Sequence, residues 1–125
     1  AGGTRLEKEA ADLMLRRTEA MQRAMFHGGS DADIYSHLAA VEAHPLLKED
    51  MESISDFRES DADKVINMKV IRCEMKEKTA NTRFFDISVK WYLLGYDGYY
   101  SEEQTYRIRT VTQGRKMYLS DMQPV

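Results

Sequence analysis

Asp33, His37 and His44 stand four and seven residues apart. Imidazole and carboxylate groups can together ligate zinc or nickel. The pattern stops short of a metal motif: the metalloprotease helix carries two histidines four apart with a glutamate between them, and that arrangement is absent. Two solvent-facing histidines, with His44 beside a helix C-terminus, are the plainer reading. Cys73 is the single cysteine, so no intrachain disulfide and no cysteine-based zinc site can form. It lies in an apolar-rich stretch and reads as a buried thiol, not a nucleophile. The acidic run SDFRESDAD over 55–63 lacks the glycine and the closing glutamate of a calcium loop. It reads as a polar connector. Gly28-Gly29 ends a helix instead of opening one, so there is no phosphate-cradling loop. No Gly-x-Ser-x-Gly elbow is present. No catalytic residue, metal ligand or cofactor site is assigned, and no tightly bound metal or organic cofactor is expected.

The most distinctive chemistry is aromatic. Trp91, Tyr92, Tyr96, Tyr99, Tyr100 and Tyr106 fall within sixteen residues. Tyr and Trp join apolar area to a hydrogen-bonding tip, as binding surfaces require. Tyr96, Tyr99 and Tyr100 surround a turn and are the candidate partner-binding anchors; the plainer alternative is local packing on their own hairpin. Trp91 is read as core. Glu102, Glu103, Arg107 and Arg109 add a mixed-charge face able to pair across an interface, and Arg107 and Arg109 join the candidate partner-binding set.

These residues are carried by the stretch FFDISVKWYLL at 84–94. Phe85, Ile87, Val89, Trp91 and Leu93 alternate with the others, the period of a half-buried strand. Asp97-Gly98 marks a hairpin in which both central residues need φ > 0, and 99–112 returns. Before it, 64–76 reads as a strand whose apolar parity switches. Ile66, Met68 and Val70 share one face, then Ile71, Cys73 and Met75 the other, which predicts a bulge. A last strand covers 116–122 after a turn at 113–115.

Helices precede the strands. Thr4 to His27 has one apolar stripe through Leu6, Ala10, Leu13, Met14, Met21, Ala24 and Met25. Its other faces carry charges, Arg16, Arg17 and Arg23 among them. Thr4 and Glu7 have capping-box spacing. Gly28 suits a left-handed helix end, and His27 the negative end of the dipole. A second helix is predicted over 32–43 with Ile34, Leu38 and Val41 inward. Pro45 interrupts, and a third helix is predicted over 46–54. The expected fold class is α+β: three N-terminal helices on one face of a strongly curved antiparallel sheet of about four or more strands.

With 125 residues, 42% of them hydrophobic, one domain over 1–125 can bury a core. A net charge of −3 leaves no electrostatic footprint for nucleic acid. No apolar run approaches the ~20 residues of a membrane span. The opening Ala1-Gly2-Gly3 reads as a processed or artificial start, so a signal or anchor could have been removed.

The element order, the aromatic strand 84–94 and the closing KMYLSDMQPV resemble the nuclear transport factor-like and ketosteroid isomerase-like superfamily, the cystatin-like α+β cone. The resemblance covers nearly the whole chain. It implies a curved sheet under one long and two shorter helices, and its uncharacterised bacterial branch includes exported assembly factors of type IV secretion. An isomerase of that group needs a base and an oxyanion donor inside the cone. Here the inward parity of the central strand offers neither, and Asp86 and Lys90 lie on the opposite face. The expected function is therefore a non-catalytic interaction or sensor domain, binding a protein partner or a second copy. The alternative is a small-molecule binder, or an isomerase- or hydratase-like enzyme using the cone pocket. An extracytoplasmic setting is favoured over a cytoplasmic one.

Overall fold

The computed structural model describes residues 4–26, 28–58, 60 and 62–125, with the Arg58 side chain excepted. His27 and the first three residues, on which two expectations rested, lie outside the described residues. Three helices come first: α1 (Arg5–Phe26), α2 (Asp31–Ala39) and α3 (Leu46–Arg58). Four strands follow: β1 (Lys64–Lys78), β2 (Thr82–Gly95), β3 (Gly98–Gln113) and β4 (Lys116–Pro124). They form one open antiparallel sheet in the order β1-β2-β3-β4. The α+β expectation holds, with four strands.

Local chemistry sets the helix ends. The Thr4 N–H donates to Glu7 Oε1 (2.7 Å) and the Glu7 N–H donates to Thr4 Oγ1 (3.2 Å), the reciprocal capping box. Ser30 Oγ accepts from the Asp33 N–H at 3.2 Å and caps α2. Two helix boundaries differ from expectation. α2 stops at Ala39, because 41–43 is drawn onto β4: the Leu119 N–H donates to Val41 O (2.9 Å) and the Ala43 N–H to Leu119 O (2.7 Å). α3 runs on to Arg58, into the predicted connector, since Ile54 is buried and Phe57 half-buried on its inner side.

The sheet's curvature comes from β1. Its pairing with β2 slips between Val65 and Asn67, between Val70 and Arg72, and between Met75 and Glu77. Ile66, Ile71 and Lys76 are the extra residues, each left without a partner across the ladder. The predicted parity switch is thus three bulges, and the inward set is corrected. Met68 is buried, and Val65, Val70, Cys73 and Met75 are half-buried, whereas Ile66 and Ile71 are 43% and 49% exposed. A bulge resets the side-chain phase, so a strict period of two fails across each one. Helix α1 lies along this strand. Gln22 Nε2 donates to the carbonyls of Val65 (3.0 Å) and Ile66 (2.7 Å), and the Met75 N–H donates to Glu7 Oε2 (2.9 Å).

Phe85, Ile87, Val89, Ile108 and Leu119 are fully buried on the concave face against Ala10, Leu13 and Met14 of α1. A second apolar cluster joins α1, α2 and α3 through Ala24, Ile34, Leu38, Leu47 and Ile54. Trp91 differs from expectation in degree: it packs against the core but is only half-buried. Its ring meets Tyr106 edge-on at 6.3 Å, and its Nε1–H donates to Tyr106 Oη at 3.0 Å.

The same charge placed on the two isoleucine- and valine-bearing faces separates core from bulge. Val89→Asp buries an unpaired carboxylate and is expected to cost more than about 3 kcal/mol. Ile71→Asp, at an exposed bulge, is expected to stay within about 0.5 kcal/mol. Urea unfolding of both variants beside the parent checks the contrast.

Candidate functional site

The hairpin joining β2 and β3 sets the geometry of the aromatic tip. Gly95 pairs with Gly98, so the two turn residues are Tyr96 and Asp97. No non-glycine residue among those described has positive φ, and Gly98 takes φ 117°. The expected turn with Asp97 at positive φ is therefore corrected: the left-handed step falls on Gly98 alone, one position later, where no Cβ obstructs it.

This turn thrusts Tyr96 wholly into solvent, at 102% relative exposure, with Tyr99 at 79% and Tyr100 at 43%. Tyr100 is held from below. Its hydroxyl donates a short hydrogen bond to Asp63 Oδ2, and that bond pushes the phenol up to about 12. The approach is tight, since a Cβ on Gly95 would lie 3.1 Å from both Asp63 Oδ2 and the Tyr100 ring. Beside it, Ile66 of the first β1 bulge, Tyr92, Leu93 and Tyr99 line an open, mostly apolar hollow of about 440 Å³. Phe26 is 41% exposed with the Lys64 ammonium 5.7 Å above its ring, and Lys64 pairs with Leu94 at this same end of the sheet. In the sequence Ile66 was read only as part of an alternating strand face, and Phe26 was not singled out. The bulge that exposes Ile66 is the only signal for it, and it shows in the parity break.

Arg107 and Arg109 lie elsewhere. Arg107 sits opposite Asp86 in the β2–β3 register, nine pairs from Gly95, or roughly 30 Å along the strand. It makes a two-pronged ion pair with Asp86, which holds that carboxyl below the usual carboxylate range. Arg109 Nε donates to Ser120 Oγ at 2.9 Å. Both arginines are thus engaged within their own sheet, apart from the three tyrosines.

The metal candidates do not converge. His37 Nδ1 donates to the Asp33 carbonyl (2.8 Å), which leaves Nε2 to accept from Arg23 Nη1 at 3.0 Å. His44 is exposed beyond α2. Among the described residues no group of three or more His, Cys, Asp or Glu is placed to hold a metal ion. Burial, with Glu7 nearby, pushes the Cys73 thiol up to about 12, which removes its nucleophilic form at neutral pH.

Sequence reasoning missed the strongest electrostatic cluster. Arg17 Nε and Nη2 donate to Asp50 Oδ2 (2.8 Å) and Oδ1 (2.9 Å), and Nε also reaches Glu42 Oε2 at 3.2 Å. The three side chains are 11%, 6% and 0% exposed for Arg17, Asp50 and Glu42. Arg17 had been read on the polar face of α1. The usable signal was spacing: Ala10, Met14, Arg17, Met21 and Ala24 follow one another at intervals of three and four, on the buried stripe. Two carboxylates against one guanidinium leave a surplus negative charge in the interior. Burial and a hydrogen bond to Asp50 push Glu42 up to about 9, so it keeps its proton at neutral pH. Burial acts to raise Asp50 too, but its bonds to Arg17 and Glu42 win and hold it low. The cluster is then neutral overall. It joins α1, the 41–43 segment and α3.

No protein-family profile matches the chain, and no curated protein does. Solved structures match in fold. The intermembrane-space region of the chloroplast protein ARC6 aligns at TM-score 0.64 and 8% identity, covering 95% of each chain. The putative transfer protein TraH of the Gram-positive conjugative plasmid pIP501, solved by NMR, aligns at TM-score 0.59 and 10% identity, over 100% of this chain and 96% of that one. At these identities the likeness establishes the α+β fold alone.

The buried proton has a measurable consequence. Glu42 binds its proton more tightly folded than unfolded, so its contribution is complete below its unfolded value of 4.5 and is lost as pH rises through about 9. Stability is expected to fall between pH 6 and 8.5 by on the order of 1 kcal/mol per pH unit at most. That window ends before the Cys73 and Tyr100 ranges. Glu42→Gln keeps a donor toward Asp50 and should flatten the slope. Arg17→Met strands the Asp50 carboxylate and should cost about 3–5 kcal/mol at pH 7. Urea melts across the pH series read both effects.

Proposed function

We propose that the chain works as one domain, a cone-like α+β module of the nuclear transport factor-like kind, and that it acts by binding a protein partner, not by catalysis. One observation carries this reading: the hairpin end holds Tyr96 wholly in solvent and, beside it, an open apolar hollow lined by Ile66, Tyr99 and Tyr100. Exposed aromatic anchors of this kind dominate binding energy once a partner desolvates them. The concave face, where a member of that superfamily would hold a small molecule, is filled by Phe85, Ile87, Val89 and Ile108. Asp63 fixes Tyr100, so part of the surface is ordered before binding, which lowers the entropic cost of association.

An extracytoplasmic setting fits this reading. Its support is the fold shared with a region of a chloroplast intermembrane space and with a protein of conjugative transfer. Among the described residues no helix is long and apolar enough to cross a membrane.

The test avoids Tyr100, whose bond to Asp63 contributes to the fold. A Tyr96→Ser, Tyr99→Ser double variant is expected to weaken association at least about tenfold, the loss of a hot-spot anchor, with an unchanged melting temperature. Sedimentation reads self-association. A photo-cross-linking residue at position 96, in the native host, reads a second protein as one discrete adduct that position 49 on α3 does not give. A lowered melting temperature with unchanged association would show that the tyrosines pack only on their own hairpin.

A further inference from the structure

We propose a second interaction surface at the opposite end of the molecule, a cationic cleft between α1 and the β3–β4 turn that takes an extended acidic peptide with apolar side chains. The cleft has a volume of about 420 Å³ and is floored by Leu13 and Met117, which are 4% and 8% exposed. Its helical wall carries Arg5, Lys8 and Arg16, and its facing wall carries Arg115 and Lys116. Glu9 and Asp12 are the acidic groups lining it, so five cations stand against two carboxylates in a chain whose net charge is −3. The local field therefore runs against the sign of the whole protein.

The partners of these cations leave them available. Arg5 pairs with Glu9 at 3.2 Å and Arg16 with Asp12 at 3.8 Å, both in solvent, where such pairs exchange readily. Lys116 rests 5.1 Å over the Tyr118 ring. Lys8 and Arg115 are exposed and have no acidic partner within 4.0 Å among the described residues. Arg5 to Arg16 spans roughly 16 Å of helix, the length of about five extended residues. In an extended peptide alternate side chains point to opposite sides. Apolar residues can face the Leu13–Met117 floor while carboxylates point to the open mouth, which the long arginine and lysine side chains of both walls flank.

The same details select the occupant. A membrane or a nucleic acid presents a dense array of phosphates, which Glu9 and Asp12 inside the wall would repel. A concave cleft with an apolar floor suits a narrow chain better than a flat surface. Spaced carboxylates can exchange with the Glu9 and Asp12 pairings and collect Lys8 and Arg115.

The probe is a capped five-residue peptide of alternating glutamate and leucine, titrated into the ¹⁵N-labelled protein. Saturable amide shifts are expected around Arg5, Lys8, Arg16, Arg115 and Lys116, with none at Tyr96 or Tyr99. Lys8→Glu with Arg115→Glu is expected to weaken binding at least about tenfold, with an unchanged melting temperature. Raising salt from about 0.05 to about 0.5 M should weaken it several-fold. The proposal is overturned by absent or non-saturable shifts, or by binding indifferent to the double variant. It is also overturned if phosphatidylserine vesicles or a DNA oligonucleotide bind through these residues and the peptide does not. The tip tyrosines take no part, so the two surfaces stand or fall separately.

Discussion

The lengths of α1 and β1 have to be reconciled before anything else can pack. Glu7 and Gln22 of α1 hold β1 at Met75 and Ile66. Those helix positions are roughly 22 Å apart along the axis. The strand positions are roughly 30 Å apart if fully extended. The side chains of Glu7 and Gln22 recover part of the difference. The rest is taken up by bending the strand, and the Ile71 bulge lies between the two anchor points. A bent β1 bends the strands paired to it. The resulting concavity lets Phe85, Ile87, Val89 and Ile108 share one core with α1, Val41 and Leu46 of α3. Glu7 has a double role in this: one carboxylate oxygen completes the cap of α1 and the other accepts the Met75 N–H.

The Arg17–Glu42–Asp50 cluster settles the remaining helices. An apolar contact is non-directional, whereas a guanidinium fork meeting a carboxylate with two hydrogen bonds admits few orientations. Arg17 sits on α1 between Met14 of the sheet core and Met21 of the helix cluster, so it divides the two apolar regions. By holding Glu42 it also holds the backbone that bridges to Leu119 on β4. The hydrogen bond from Arg17 to the protonated Glu42 thereby connects the first helix to the last strand. Replacing such a cluster wholesale with apolar groups is often neutral for stability, whereas its bond geometry restricts how the three segments can meet.

Much of this was legible in the sequence, and the limits have physical causes. Period-two alternation identified β2 because no bulge interrupts its pairing with β3, and the four-strand plan followed. In β1 the bulges broke the alternation; the break was visible, but not which isoleucines were left over. Helix α2 was read too long because local propensity cannot anticipate a pull from Leu119, nearly eighty residues away in sequence. Arg17 was assigned to solvent because a charge is usually exposed, and its two partners are 25 and 33 positions distant. At the tip the tyrosines were found from composition and turn chemistry. The arginines grouped with them belong to another row of the sheet, where Asp86 and Ser120 occupy them.

The free edge of β1 has a consequence for behaviour at high concentration. An exposed edge strand is a template on which other chains can add, and the risk grows when it displays isoleucines. Here Ile66, Ile71 and Lys76 are unpaired residues at intervals of five. An incoming regular strand keeps a period of two, so it loses register with this edge after every few residues. Gln22 and Glu7 already occupy backbone groups toward its two ends. The irregularity that bends the sheet over α1 thus also denies an incoming strand a continuous ladder along this edge.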